Sequence, residues 1–136
     1  MKEYVRTILD YPVKGIKFRD ITTLLQNADH FTQVIDEMIK PWKDEKIDAI
    51  VSIESRGFIM AGAIAYKLNT AFIPFRKPDK LPGETYQVSY TLEYGSTEMH
   101  VHKDGLDGHT DVLIIDDLLA PGGTALAAIE LINKFD

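Results

Sequence analysis

The stretch Val112-Leu-Ile-Ile-Asp-Asp-Leu-Leu-Ala-Pro-Gly-Gly-Thr124 sets the fold of this chain. An apolar run ends in two adjacent carboxylates, Asp116 and Asp117. Gly122, Gly123 and Thr124 follow, and then a helical pattern. This order predicts a buried parallel strand over 112–116, a tight glycine loop and a helix over 125–134. Backbone N–H groups at a helix N-terminus have no intrahelical partner and bind anions. Phosphate is therefore expected in the loop. The two carboxylates, on a surface rim, suit a ribose diol or its magnesium ion. Together they fit a sugar phosphate that carries a cation.

Working outward, residues 47–53 and 71–75 predict two further buried strands, with Pro74 marking an edge or a strand end. Residues 57–68 are apolar and alanine-rich, which predicts a closely packed helix. Residues 27–45 place Phe31, Val34, Ile35, Met38, Ile39 and Trp42 at three- and four-residue steps. That is a second helix, which Pro41 kinks or ends early. Residues 2–9 are expected to form a short helix with Tyr4, Val5 and Ile8 on one face, broken by Pro12 and Gly15. Tyr86, Val88, Tyr90 and Leu92 alternate with polar residues, and Met99 and Val101 alternate with His100 and His102. An antiparallel hairpin follows, turning at Gly95-Ser96, with the histidines on an exposed face. In the last helix Leu126, Ile129 and Ile132 are expected to point inward.

Strands alternating with helices make the fold class α/β: a mainly parallel sheet flanked by helices, with an antiparallel hairpin inserted. The chain stops at Asp136, directly after a helix, where another parallel strand is expected. The sheet is thus expected to be incomplete at its C-terminal end. In such sheets ligands bind beyond the carboxyl ends of the strands. Glu54-Ser-Arg-Gly57, Arg76-Lys-Pro-Asp-Lys80 and residues 116–124 all fall there and are expected to share one rim.

At 136 residues the chain is expected to be a single domain, 1–136. A net charge of −6 argues against nucleic-acid and membrane partners. In that acidic background, the base clustered at Arg76, Lys77 and Lys80 favours an anion site over a solvated loop. The absence of cysteine excludes disulfides and thiol catalysis. The N-terminus lacks a signal-peptide apolar core and no run reaches membrane-spanning length, so the cytoplasm is expected.

The acidic pair followed by Gly-Gly-Thr resembles the phosphoribosyl-pyrophosphate (PRPP) motif of type I phosphoribosyltransferases. Tyr11-Pro-Val-Lys-Gly-Ile-Lys-Phe-Arg-Asp-Ile-Thr22, Glu54-Ser-Arg-Gly-Phe58, Arg76-Lys-Pro-Asp-Lys-Leu-Pro-Gly83 and Leu92-Glu-Tyr-Gly95 narrow the likeness to the adenine phosphoribosyltransferase family. That resemblance implies a purine-salvage transferase joining adenine to PRPP, with AMP and pyrophosphate as products. Magnesium would be carried on PRPP near Asp116 and Asp117, with no metal ligand assigned directly. It also implies a homodimer.

By the same match, residues 1–26 form a base-binding segment and 27–136 the core. The 5′-phosphate lies in the loop Ala120, Pro121, Gly122, Gly123 and Thr124. Asp116 and Asp117 face the ribose hydroxyls. Ser55 and Arg56 meet the pyrophosphate, with Arg76, Lys77 and Lys80 adding charge, partly across the dimer interface. Phe18 stacks on adenine, the Arg19 backbone reads its edge, and Glu93 lies near N7. Glu93, Asp116, Asp117 and Arg56 form the catalytic set. Two positions depart from the family: Pro121, usually Thr, and Lys17, usually apolar. A proline removes an N–H and a hydroxyl from the loop.

Read without the resemblance, Phe18 belongs to a core and Glu93 is an unremarkable hairpin-end acid. The four histidines offer no ligand or base geometry, and Tyr86 and Tyr90 are sheet packing. Two rivals remain. One is a transferase for another base, such as hypoxanthine or xanthine. The other is a non-catalytic PRPP- or nucleotide-binding regulator or inactive truncated paralogue.

Overall fold

Val112–Ile115 (β7) runs parallel to Ala49–Ile53 (β3), which also pairs in parallel with Ala71–Phe75 (β4). These strands belong to a computed structural model that describes residues 2–92, 95–119 and 122–135. The strand order is β4-β3-β7, so β3 is central and all five of its residues are buried. A continuous run such as Ala-Ile-Val-Ser-Ile suits a strand covered on both faces. Pro74 sits on the outer strand β4, where a missing ladder donor is tolerated.

The chain divides into two compact units, Met1–Asp44 and Glu45–Asp136. In the larger unit, Gly57–Leu68 (α3) packs against β3 and β4 through Met60, Ala61, Ile64 and Ala65. It ends where Asn69 takes a left-handed conformation. Thr85–Leu92 (β5) and Gly95–His102 (β6) form the antiparallel hairpin, with Tyr86 opposite Val101 and Val88 opposite Met99. Val88, Met99 and Val101 join Val51, Ile73 and Phe75 in one core, with Tyr86 and Tyr90 packed against it. A single bridge, Arg76 to His100, ties the hairpin to the end of β4.

The final helix, Gly123–Ile132 (α4), buries a different face from the expected one. Ala127, Ala128 and Leu131 point inward and Ile132 packs against the core as expected, whereas Leu126 is 68% exposed and Ile129 is also open to solvent. The helix is apolar nearly all round, so periodicity leaves its rotation undetermined. The two alanines let it approach β5 closely, and packing chose that side.

Two other expectations are corrected. Residues 2–9 are not a helix: a single turn over Lys2–Tyr4 leads into Arg6–Leu9 (β1), which pairs antiparallel with Lys17–Asp20 (β2). Asp10 and Gly15 take positive φ, and the Asp10 carboxylate accepts from the Gly15 N–H at 2.7 Å. That turn brings the chain back and favours a hairpin over a helix. The histidine face of β6 is not open either. His100 is 14% exposed at its side chain, which meets Thr85 of β5, and His102 reaches the Pro82 carbonyl in the loop between β4 and β5.

In the smaller unit, Thr22–Leu25 (α1) and Ala28–Ile39 (α2) follow the hairpin. The Asn27 side chain accepts from the His30 N–H and caps α2. Pro41 falls in the tighter turn Lys40–Trp42 that ends it. Asp20 is buried, accepting from the Thr22 N–H and hydroxyl and pairing with Arg6. Those bonds, Thr22 foremost, hold its carboxyl down at about 2. Among the described residues no helix is long and apolar enough to cross a membrane.

Candidate functional site

A cavity of about 280 Å³ opens beyond the carboxyl ends of β3 and β7. Ser55, Arg56, Asp116, Asp117, Gly122 and Thr124 line it, together with Glu54 and Tyr90. The strand directions explain this. Parallel β3 and β7 deliver Glu54–Gly57 and Asp116–Asp117 to the same edge. Gly122, at φ +100°, then turns the chain into α4. A residue with a Cβ is strained at that angle, so glycine is required to start the helix there.

Gly57 is required for a different reason. A Cβ there would lie 2.5 Å from Asp116 Oδ1 and 2.7 Å from Ser52 Oγ. Its hydrogen atom lets the start of α3 close onto β3 and β7, which sets the floor of the cavity. Ser52 Oγ is buried with no hydrogen-bond partner in the structure.

The electrostatics of the rim are uneven. Burial raises the Asp116 carboxyl to about 6, with the Asp117 side chain pushing the same way; the Asp117 N–H, which it accepts at 2.9 Å, and Arg56 oppose the rise. Asp117 is only 6% exposed and forms an ion pair with the Arg56 guanidinium. It is therefore a buried partner of Arg56 and not an open rim carboxylate. Glu54 holds the second arginine: Arg76 Nε and Nη2 donate to it at 3.3 and 3.4 Å, and the Lys77 N–H at 2.8 Å. Burial works to raise the Glu54 carboxyl, but the Lys77 N–H and Arg76 outweigh it and hold it below its ordinary value.

Arg76, Lys77 and Lys80 are not cavity-lining residues; Arg76 reaches the rim through Glu54. Gly123 opens α4 beside the lining residues. Phe18 and Arg19 belong to the smaller unit. Phe18 stands edge-on to Tyr11 with ring centroids 5.2 Å apart, and the Arg19 guanidinium donates to Thr7 Oγ1. Glu93, Ala120 and Pro121 lie outside the described residues.

Two contributors escaped the sequence reading. Glu54 was legible only as an acid next to an expected anion site, which is the sign of an internal anchor. Tyr90 serves both as packing and as cavity wall. Burial, and then the charge of Glu54, raise its hydroxyl.

As a donor set the rim suits a metal held on a ligand. Among the described residues no group of three or more acidic, histidine or cysteine side chains is placed to hold a metal. Magnesium characteristically takes one or two carboxylates and completes its shell from substrate phosphates and water. The half-buried Asp116, whose negative form lacks a full counter-charge, fits that arrangement.

The sequence profile described as "phosphoribosyl transferase domain" matches residues 19–136. An adenine phosphoribosyltransferase of Brachyspira hyodysenteriae is 54% identical over 136 residues, 100% of this chain and 80% of that protein. That of Pelagibacter ubique is 54% identical over 133 residues, 98% of this chain and 76% of its own. Among solved structures, the adenine phosphoribosyltransferase of Thermoanaerobacter pseudethanolicus matches with a TM-score of 0.92 at 44% identity, covering 98% of this chain and 78% of that one. The Saccharomyces cerevisiae enzyme, solved with an imino-altritol bisphosphate and adenine, matches at 0.90 and 36% identity, with 98% and 78% covered.

Proposed function

The chain belongs to the phosphoribosyl transferase domain family, and from that premise we propose that it transfers the phosphoribosyl group of PRPP to adenine, giving AMP and pyrophosphate. The observation that supports this best is the shared cavity of Arg56, Asp116, Asp117 and the N-terminus of α4. A cation, two carboxylates and a phosphate-binding helix end match the three parts of PRPP.

Adenine attacks C1 of the ribose through N9 with its imidazole proton on N7, and that proton is the one lost as the new bond forms. The bond from C1 to the pyrophosphate oxygen breaks, and pyrophosphate leaves with the electron pair. Positive charge develops on the sugar and negative charge on the leaving group. Asp116 and Asp117 hold the ribose hydroxyls and favour the sugar's charge. Arg56 stabilises the leaving pyrophosphate. To do so Arg56 exchanges Asp117 for the ligand, while Asp117 turns to the hydroxyls. The Gly123 and Thr124 N–H groups and the Thr124 hydroxyl take the 5′-phosphate. Magnesium carried on PRPP would lie near Asp116 and Asp117 and, when bound, would neutralise pyrophosphate charge. Phe18 stacks on adenine, the Arg19 backbone pairs with its N1 and 6-amino edge, and Glu93 receives or shares the proton near N7. No covalent nucleophile is needed, so positioning and electrostatics carry the reaction.

The working form is proposed to be a homodimer. Ile59 and Tyr66, two turns apart on α3, and Phe72 on the outer strand β4 are exposed apolar residues in keeping with a second copy. Steady-state assays with PRPP, magnesium and one base at a time test the function. Adenine is expected to be preferred over hypoxanthine, whose N1–H and 6-oxo group present the reverse pattern, by on the order of 10⁴. Equal use of both bases would overturn the adenine reading, and no turnover with any base would favour the non-catalytic rival.

A further inference from the structure

The basic loop between β4 and β5 carries Arg76, Lys77 and Lys80, and β6 touches it at three levels. At its start, Arg76 and His100 exchange two backbone hydrogen bonds, each 2.8 Å. Just past its end, at the first residue of β5, Thr85 Oγ1 lies 3.0 Å from His100 Nδ1. Near its tip, His102 Nε2 lies 2.8 Å from the Pro82 carbonyl oxygen. Beyond the histidines, the Lys103 N–H donates to the Glu84 carbonyl at 3.2 Å, and its ammonium pairs with the Glu84 carboxylate at 3.1 Å.

The proton positions follow from the partners. A carbonyl oxygen only accepts, so His102 Nε2 carries a hydrogen and donates to Pro82. His100 Nε2 faces the Glu98 carboxylate at 3.1 Å and donates to it. In the neutral ring Nδ1 then accepts from the Thr85 hydroxyl. His100 therefore joins the start of the loop, through its backbone, to the first residue of β5 that closes it, through its ring.

We infer that His100 and His102 are positioning residues that clasp residues 76–85 so that Arg76, Lys77 and Lys80 are presented to the pyrophosphoryl donor. The inference rests on the proposed PRPP site. Between its anchored ends the loop has little else to shape it. It is mostly exposed, contains two prolines and turns through positive φ at Asp79 and Gly83. Ordering such a segment costs conformational entropy on each binding event unless it is held beforehand. Glu54 fixes its first two residues, and Lys103 holds Glu84 at its far end. The histidines add the ties between them, at Arg76 and Pro82. Neither histidine touches the cavity, so the effect should fall on donor affinity and spare the chemical step.

The test uses the full chain with His102→Ala, His102→Gln and Thr85→Val. Gln restores an N–H donor near the position of Nε2, and Val removes the Thr85 hydroxyl while leaving His100 intact. Two readouts are taken: the initial rate of tryptic cleavage after Lys80, and separate KM values for PRPP and adenine with kcat. Lys77 precedes a proline and resists trypsin, so the Lys80 cut reports the loop alone. His102→Ala is expected to raise the cleavage rate and KM for PRPP about 3- to 10-fold, the scale of one hydrogen bond. KM for adenine and kcat should stay within about twofold. Thr85→Val should act in the same direction, and His102→Gln should return both readouts to within about twofold of wild type.

Unchanged cleavage and KM in both His102→Ala and Thr85→Val would overturn the clasp. So would faster cleavage with an unchanged KM for PRPP, or equal changes in the two KM values. If the wild type fails to use PRPP at all, the proposed function falls instead. The cleavage rates would still decide whether the histidines hold the loop.

Discussion

Two arginine–carboxylate pairs stand at the carboxyl ends of the central strands, and they differ in what surrounds them. Arg76–Glu54 is completed by a third donor, the Lys77 N–H, and touches the cavity only through the Glu54 side of the pair. Arg56–Asp117 lies inside the cavity next to Asp116, a carboxylate that burial holds near 6. The first pair fastens a loop and is self-sufficient. The second joins two groups proposed to meet different parts of one ligand. In that proposal the pair pre-arranges them and separates when the ligand enters. The same residue types thus serve anchoring or catalysis according to how fully their other bonds are made.

The comparison breaks most severely at Gly57. Gly57→Ala forces a methyl group against Asp116 and Ser52, and overpacking of this kind costs about 1–3 kcal/mol. Displacing Asp116 by an ångström is expected to lower kcat/KM by about 100-fold, measured by AMP formation. A variant with wild-type kinetics would show that the floor of the cavity does not position Asp116.

Next is Asp117→Asn, which leaves Arg56 without its counter-charge and the ribose with one carboxylate instead of two. Loss of a charged hydrogen bond predicts about 1–3 kcal/mol in transition-state binding, or roughly 5- to 150-fold in kcat/KM for PRPP. Glu54→Gln should be milder. The amide oxygen still accepts from the Lys77 N–H while Arg76 loses its ion pair. KM for PRPP is expected to rise about 3- to 10-fold with kcat nearly unchanged. An equal loss in both variants would erase the distinction between the pairs.

The smallest effect is in the ligand-free protein. Asp116 has its carboxyl raised from the ordinary carboxylate range to about 6, so the native state prefers the protonated form. The stability this gives is full below about pH 4 and is lost as pH rises through 6. Asp116→Asn removes that loss. Screening at a half-exposed group reduces its size to about 1 kcal/mol. The variant should therefore melt about 2–6 °C higher at pH 7.5, while losing activity. Asp20 runs the opposite way: its lowered carboxyl supports the fold above about pH 4, and that support disappears as pH falls toward 2. Thermal melts across pH 2–8 separate the two, and a melting temperature independent of pH from 4 to 7 in the wild type would contradict the Asp116 assignment.

What the sequence made legible follows the same physical division. Strands β3, β4 and β7 were readable because continuous apolar runs bounded by turn residues leave few alternatives. The glycine loop was readable because its chemistry is local. The rotation of α4 was not, since a helix apolar on every side carries no phase; only Ala127 and Ala128 packing on the hairpin settles it. The β1–β2 hairpin was hidden because Tyr4, Val5 and Ile8 fit a helical face as well as a strand, and the deciding bond, Asp10 to Gly15, is a turn contact. The Arg56–Asp117 pair joins residues 61 positions apart, on different strand ends. No local pattern encodes such a contact, even though each residue sits in a legible motif.

The central claim, that this rim is a phosphoribosyl site whose internal ion pair gives way to the ligand, is tested most directly by a crystal structure with PRPP, magnesium and a non-reacting adenine analogue. The account predicts the 5′-phosphate within hydrogen-bond reach of the Gly123 and Thr124 N–H groups, Asp117 on the ribose hydroxyls and Arg56 on the pyrophosphate. A complex with the phosphates bound elsewhere and the Arg56–Asp117 pair intact would contradict it.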